Sequence, residues 1–179
     1  MNEELIKKAI YDLLKAIGED PEREGLKETP KRVAKMYAEL LSYPKFDYTS
    51  FEDKYDDLVM VKNIEFCSMC EHHLLPFYGV AHVAYIPNNK IIGLSKIARV
   101  VEKHSRKLQV QERMTEDIIS ELKDKLGTDN IAIFIEAKHM CMISRGVKKE
   151  LTSTITTKLS GIFKNERKSD FYFLLGKRD

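Results

Sequence analysis

The sequence is poor in three features that would each point to a particular class of protein. No apolar run approaches the ~20 residues that a membrane-spanning helix requires, so we expect no membrane contact. The formal net charge of the 179 residues is only +2, which argues against a general nucleic-acid coat but allows a local basic pocket. The chain also has no internal repeat and no low-complexity tract, so nothing indicates a repetitive architecture.

Cysteine is also scarce, with three residues in the chain. A small secreted protein stabilised by disulfides would use more of them. The chain begins with a charged segment, in which Glu3 and Glu4 precede Leu5, and it gives no sign of a signal peptide, so we expect a protein of the reducing cytoplasm. The hydrophobic share of 43% is enough for a real core, and the length suits one domain with a helical extension.

The hydrophobic spacing predicts two helices at the N-terminus. Apolar residues at helical spacing over 3–17 predict the first helix. Thr29 followed by Pro30 is typical of an N-cap and the first position of a second helix. A polar loop over 42–57 follows. We therefore predict an N-terminal helical segment, 1–56, and a second domain, 57–179.

The second domain has a pattern that predicts strands and helices in a fixed order. The order is strand, strand, helix, helix, strand and strand, and it favours an α+β fold in which an antiparallel four-stranded sheet carries two helices on one face. The sheet edges would be unpaired, so we expect neighbouring subunits to complete them. The predicted strands are 58–66, 78–86, 131–142 and 151–157, and the predicted helices are Ser95 to Leu108, a second ending at Leu126, and a short one at about 166–176.

Two clusters of cysteine and histidine predict a metal site. The first is Cys70-Glu71-His72-His73, and the second is His139-Met140-Cys141. Thiolate and imidazole are ligands that zinc prefers, and the three-residue spacing of Cys70 and His73 lets one turn of chain direct both at one ion. If the second cluster ends a strand, His139 and Cys141 point to the same side. A metal on Cys70, His73 and Cys141 would then have His139 beside it.

The same cysteines allow other interpretations. Cys67 could join Cys70, His73 and Cys141 in a closed structural site, whereas a catalytic zinc usually keeps three protein ligands and an open position. Cys67 and Cys70 also have the C-x-x-C spacing of a redox pair. Each residue taken alone is more often packed or hydrogen-bonded than metal-bound. Spacing alone does not decide among these alternatives.

A second group of residues suits an anionic ligand. Ser95 is predicted to cap a helix whose first turn presents Lys96 and Arg99 on one face, and the free N–H groups of a helix start favour anions. Arg145 follows the Cys141 stretch and would add another cation. Glu112 can accept two hydrogen bonds from a guanine edge or from other N–H pairs. Taken alone, each of these charges is more often solvated surface.

Four motifs, taken together, resemble the GTP cyclohydrolase I family. The resemblance covers about 25–179, and the segment from Glu28 to Arg32 is similar to the helix before that family's catalytic domain. It implies a tunnelling fold, in which subunits join their sheets into a barrel and form a homodecamer. The four motifs, in chain order, are Cys70-Glu71-His72-His73, Gly93-Leu94-Ser95-Lys96, Gln109-Val110-Gln111-Glu112-Arg113 and His139-x-Cys141-x3-Arg145-Gly146.

The resemblance also implies an activity and a role for each residue. The reaction converts GTP and water to 7,8-dihydroneopterin triphosphate and formate, the first step of tetrahydrofolate or tetrahydrobiopterin synthesis. Zinc would bind Cys70, His73 and Cys141, with Cys67 outside the ligand set as a packed residue. His139 would transfer protons, with His72 and Ser95 in supporting roles. The substrate-binding residues would be Glu112 and Gln111 for guanine, and Lys96, Arg99, Arg145 and Arg32 for the triphosphate, with Arg32 supplied by a neighbouring subunit.

The residues also fit this chemistry on their own terms. Purine C8 is a poor electrophile, and zinc can lower the pKa of a bound water from ~15.7 to ~7 and so supply a strong nucleophile. A histidine with a pKa near ~6.5 can donate and accept protons at neutral pH. Two other functions stay open: a non-catalytic, zinc-stabilised ring that binds a nucleotide or pterin, and another pterin enzyme of the same fold. The Cys/His/Cys set with Gln111 and Glu112 favours the cyclohydrolase.

Overall fold

The computed structural model describes residues 1–176, and the last three residues of the predicted second domain lie outside this range. The chain forms two compact units, one over Met1–Tyr43 and one from Pro44 onward. No helix in the described range is long and apolar enough to cross a membrane.

The N-terminal unit is a pair of helices, α1 (Glu3–Ala16) and α2 (Thr29–Leu40). The Asn2 side chain caps α1 by accepting a hydrogen bond from the Leu5 N–H at 3.1 Å. The prediction that Thr29 is the N-cap of α2 is wrong, because Glu28 occupies that position and Thr29 is already helical. Pro30 fits the first turn because N–H groups there have no partner within the helix.

The second unit contains a five-stranded sheet, a two-stranded sheet and four α-helices. Leu108 was expected in a helix but lies in a strand, since the helix before it ends at Ser105. In chain order its elements are β1 (Ser50–Glu52), β2 (Val59–Cys70), β3 (Pro76–Tyr85), β4 (Lys90–Ile92), α3 (Leu94–Ser105), β5 (Leu108–Gln109), α4 (Gln111–Leu126), β6 (Ile131–His139), α5 (Met140–Ile143), β7 (Thr154–Leu159), a 3-10 helix (Gly161–Lys164) and α6 (Lys168–Leu175).

The large sheet has the strand order β5-β2-β3-β6-β7. The four predicted strands form its antiparallel part, and the short β5 adds to β2 in parallel. The small sheet pairs β1 with β4, both within stretches predicted as loop or connection. Strands of two or three residues are too short to show a period of two, so the sequence pattern could not reveal them.

Helices α3 and α4 pack against one face of the large sheet. Apolar side chains such as Val101, Ile118 and Ile133 meet there in the larger core, and all three are fully buried. The opposite face carries a second, smaller core, in which Phe134 packs with Phe163 and Phe171 of the C-terminal elements. The prediction of helices on one face only is therefore incomplete, because α6 covers part of the other face.

Candidate metal centre and substrate site

A tight loop between β2 and β3 carries two of the predicted metal ligands. Cys70, the last residue of β2, donates its N–H to the Leu75 carbonyl, and Leu74 donates back to the Cys70 carbonyl, each at 2.9 Å. Leu74 adopts a left-handed φ of 51° to close the turn. The turn places Nδ1 of His73 3.9 Å from Sγ of Cys70. The three-residue spacing therefore brings these two side chains together.

The third predicted ligand lies on an element that the sequence prediction missed. Strand β6 ends at His139, and Met140–Ile143 form one helical turn, in which Ser144 N–H donates to the Met140 carbonyl at 2.9 Å. The prediction that His139 and Cys141 share a strand face is therefore wrong. The helical turn nevertheless brings Cys141 to the loop, because the ligand atoms of Cys70, His73 and Cys141 all lie within 4.8 Å of one another.

These three side chains fit a zinc ion in number, type and spacing. Zn–S and Zn–N distances of ~2.3 and ~2.0–2.1 Å place the ligands of a tetrahedral zinc roughly 3.5–3.8 Å apart. The 3.9 Å between Cys70 and His73 is close to this value. Burial raises the pKa of the Cys141 thiol, and the adjacent Cys70 raises it further. A cation between the two sulfurs would instead lower the pKa of this thiol, because a positive charge stabilises the thiolate.

Cys67 lies outside this group. It is exposed, whereas its neighbours Phe66 and Ser68 are buried, so its side chain points to the face opposite the core. Cys70 is buried on the core side of the same strand. The expectation that Cys67 is a packed residue is therefore wrong. The geometry favours neither a closed four-ligand site nor a Cys67–Cys70 redox pair.

His139, at the end of β6, is held by two neighbours. Its ring stacks on Phe77 of β3, with ring centroids 4.7 Å apart and an interplanar angle of 1°. Its Nε2 lies 2.8 Å from Oε1 of Gln111, the first residue of α4. Burial lowers the pKa of His139, and the carboxylate of Glu112 opposes part of that shift. The imidazole is therefore fixed in orientation and favours its neutral form.

The start of α4 is joined to the ligand loop. Arg113 donates to both carboxylate oxygens of Glu71, at 2.6 and 3.0 Å, and the Glu71 N–H donates to the carbonyl of Gln109 at 3.1 Å. These contacts link the turn that carries Glu112 to the loop that carries Cys70. The sequence analysis missed the Glu71–Arg113 pair, because the two residues lie 42 positions apart and nothing local marks them as partners.

The candidate triphosphate ligands are distributed over several elements. The prediction that Ser95 caps α3 is wrong. Gly93 occupies the N-cap position, and Ser95 is the second helical residue. Lys96 and Arg99 lie one turn apart on α3, with the Arg99 guanidinium 5.9 Å from the centre of the Phe46 ring. The Arg145 guanidinium contacts Nε2 of His73, so one predicted substrate ligand contacts a predicted metal ligand.

Comparison with known proteins identifies the family. The family model described as GTP cyclohydrolase I matches residues 6–175. The chain belongs to the GTP cyclohydrolase I family. Several relatives called GTP cyclohydrolase 1 are similar over nearly their full length. The one from Streptococcus thermophilus (strain CNRZ 1066) is 50% identical over 184 residues, which cover 99% of this chain and 98% of that protein.

Two further relatives carry the same name. GTP cyclohydrolase 1 of Streptococcus agalactiae serotype Ia is 52% identical, covering 93% of this chain and 92% of that protein. The relative from Sulfurihydrogenibium sp. (strain YO3AOP1) is 52% identical, covering 94% and 91%. Among solved structures, archaeosine synthase QueF-Like in the apo form covers 56% of this chain at 14% identity with a TM-score of 0.45. That score supports no conclusion about the fold.

For this member of the GTP cyclohydrolase I family, the structure brings together some of the predicted site residues but not all. Cys70, His73 and Cys141 form one group, and Arg145 contacts it. His72 is exposed in the same loop, with Nε2 3.9 Å from the Glu71 carboxylate. Arg32 lies on α2 in the N-terminal unit, so its role in the site stays a prediction.

Proposed function

We propose that this protein is a zinc-dependent GTP cyclohydrolase I, which converts GTP and water to 7,8-dihydroneopterin triphosphate and formate. This step begins tetrahydrofolate or tetrahydrobiopterin synthesis. The observation that carries the proposal is the group Cys70, His73 and Cys141, whose ligand atoms lie within 4.8 Å in a chain of this family. His139 supports it, because the residue that follows it in the chain begins the turn that holds Cys141.

The three ligands would hold the zinc ion and leave a position free. Three protein ligands are typical of a catalytic zinc, whereas a structural zinc has four. When bound, the ion supplies Lewis acidity that activates water for attack on purine C8. Cys141 and Cys70 would bind the ion as thiolates, because a metal ion deprotonates a thiol that coordinates it.

His139 is the proposed proton-transfer residue. Its lowered pKa keeps a large neutral fraction near pH 7, so it can accept a proton as well as donate one. We propose that it donates a proton to a ring nitrogen of the purine as C8 is hydrated. It then moves protons again as the C8–N bond breaks and formate leaves. His72 and Ser95, both exposed, take supporting roles.

Glu112 and a group of cations would bind the substrate. Glu112 is exposed in the first turn of α4, and its two oxygens can accept hydrogen bonds from the N1–H and the amino group of guanine. Adenine presents a different pattern on that edge, which favours GTP over ATP. Four cations would hold the triphosphate, namely Lys96, Arg99 and Arg145, with Arg32 from a neighbouring subunit. Gln111 was also expected to bind guanine, and within the protein its amide bonds to Ile135 and His139.

We further propose that the chain adopts the tunnelling fold and assembles into a homodecamer. Within the described residues, β7 ends the large sheet on one side and the two-residue β5 ends it on the other. Such edges are usually covered or joined to another chain. Joining the sheets of neighbouring subunits would close them into a barrel.

The direct test is turnover of GTP by the purified protein. Incubation with GTP followed by oxidation should give a fluorescent pterin, together with formate, and metal analysis should find zinc. Cys141→Ser serves as a control and should give neither zinc nor pterin. Zinc without turnover would instead support a non-catalytic ring protein that binds a nucleotide or pterin.

A further inference from the structure

The side chain of Gln111 is fully occupied by contacts within the protein. The residue is 1% exposed. Its amide nitrogen donates toward the carbonyls of Ile135 and Thr154, at 3.2 and 3.0 Å, and lies 3.1 Å from Oγ1 of Thr156. Because carbonyl oxygens only accept hydrogen bonds, the nitrogen and not the oxygen of the amide must face them. The orientation of this amide is therefore determined.

The orientation of the amide decides which nitrogen of His139 carries hydrogen. The other end of the amide, Oε1, faces Nε2 of His139 at 2.8 Å. An amide oxygen only accepts, so Nε2 must be the donor. A 180° flip of the imidazole would put ring carbon Cε1 in the place of Nε2 and lose this bond, so the contact with Gln111 favours the observed orientation of the ring stacked on Phe77. In the neutral ring, Nδ1 is then the nitrogen with a free lone pair.

We propose that Gln111 is a positioning residue, which holds His139 as the Nε2–H tautomer and makes Nδ1 the nitrogen that exchanges protons with the substrate. This inference rests on the proposed function. No protein group in the described part of the chain forms a hydrogen bond with Nδ1 of His139. Nε2–H donates to Gln111 both before and after Nδ1 gains a proton. The bond therefore persists while Nδ1 takes a proton from the attacking water and passes it to a substrate nitrogen, which leaves the lone pair on Nδ1 again.

A direct contact between Gln111 and guanine would have a high cost in this arrangement. Turning the amide toward a substrate would remove the donor from the carbonyls of Ile135, in the middle of β6, and Thr154, at the start of β7. Buried carbonyls without a donor are strongly disfavoured. The side chain is therefore built to orient His139 and not to exchange partners during turnover.

The first test measures the tautomer in the wild-type protein loaded with zinc. The chain has five histidines, so ¹⁵N-histidine labelling and solid-state NMR give a tractable spectrum, with His139 assigned from the His139→Asn variant. We expect hydrogen on Nε2 and a hydrogen-free Nδ1 in the neutral ring. A neutral His139 with hydrogen on Nδ1 would overturn the proposal, whether or not the protein acts on GTP.

The second test compares Gln111→Met with Thr115→Val. Thr115 Oγ1 bonds to the Gln111 carbonyl and to Thr156, so its loss disturbs the same buried network without removing the amide from His139. We expect Gln111→Met to lower kcat about 10- to 100-fold, as is usual when a group that orients a functional histidine is lost. Its KM for GTP and zinc content should change little, and its His139 signal should show mixed tautomers. Thr115→Val should keep the single tautomer.

The outcomes separate this inference from the proposed function. If the wild type makes no pterin from GTP, the function fails while the tautomer measurement still decides the role of Gln111 in orienting His139. If the wild type is active and Gln111→Met raises KM with kcat unchanged, Gln111 binds substrate and the positioning role is wrong. A Gln111→Met protein that fails to fold leaves the wild-type spectrum as the deciding measurement.

Discussion

At the scale of single residues, Cys67 is a natural control for the metal ligands, because it is a cysteine of the same strand that faces away from them. We expect Cys70→Ser, His73→Ala and Cys141→Ser each to lose zinc and activity, since a three-ligand site has no spare donor. Cys67→Ser should keep both. Metal analysis and GTP turnover measure the result. Release of zinc by Cys67→Ser as readily as by Cys70→Ser would argue for a structural four-ligand site.

Glu112 is expected to determine the preference for guanine. Glu112→Gln replaces an acceptor by a donor that faces N–H groups, and such a mispairing costs ~1–3 kcal/mol, or roughly 5- to 150-fold in kcat/KM. Glu116→Gln is the matched control, because Glu116 is also exposed on α4 and pairs with Lys158. Competition assays with GTP and ATP should show ATP as a poor substrate of the wild type. Equal turnover of the two nucleotides would contradict the assignment.

His139 is expected to act in proton transfer and not as a metal ligand. His139→Ala should therefore keep zinc near wild-type stoichiometry while the rate falls by ~10²–10⁴, the usual cost of losing a general acid–base. If His139 acts mainly after the first attack, a ring-opened formamide derived from GTP should accumulate with little formate. Mass spectrometry of the reaction mixture detects that species. Loss of zinc, or a normal rate of product formation, would refute this role.

At the scale of elements, α3 and α4 are joined by a partly buried charge cluster. His104 of α3 donates from Nε2 to the Glu121 carboxylate of α4 at 2.6 Å, and its Nδ1 lies 3.7 Å from Asp117. Lys103 also donates to Glu121, and Lys107 donates to Asp117. Burial, aided by Lys107, lowers the pKa of His104 from 6.5 to about 4. The folded protein therefore holds this histidine neutral at a pH where the unfolded chain would protonate it.

This cluster predicts a loss of stability in mild acid. Between pH 6.5 and about 4 the unfolded chain binds a proton that folded His104 does not, so the free energy of unfolding falls as the pH falls. After allowance for solvent screening, we expect about 2 kcal/mol from this residue. His104→Gln should flatten the pH dependence of chemical denaturation only in part, since burial also lowers the pKa of His82. An unchanged slope in the variant would contradict the prediction.

At the scale of the whole molecule, the proposed assembly fixes the mass in solution. One chain has a mass of 20.8 kDa, and we expect light scattering to show about ten times that value, as the family resemblance implies for the proposed barrel. The N-terminal unit carries Arg32, so its truncation at residue 43 would test the contribution of a neighbouring chain. A fully active monomer at assay concentration would refute shared sites and the role of Arg32.

The sequence by itself determined the long elements and placed two of the three proposed metal ligands close together in the chain. The periodicities of α1, α4, β2 and β3 extend over enough residues to be read without a structure, and Gly127 ends α4 as expected for a left-handed C-cap. Cys70 and His73 could be associated because both lie in one short loop. Helical and strand periodicity, and contacts within one short loop, depend on residues that are close together in the chain. They can therefore be predicted from the sequence.

Only the tertiary structure decided how the site is oriented. The helical turn that carries Cys141 continues an apolar run, and that run looked like more of the strand before it. The contacts of Gln111 reach residues 24, 28, 43 and 45 positions away. Its role therefore depends on β6 and β7 lying beside each other under α4. Contacts between residues so far apart in sequence arise from the packing of elements, and no local pattern encodes them.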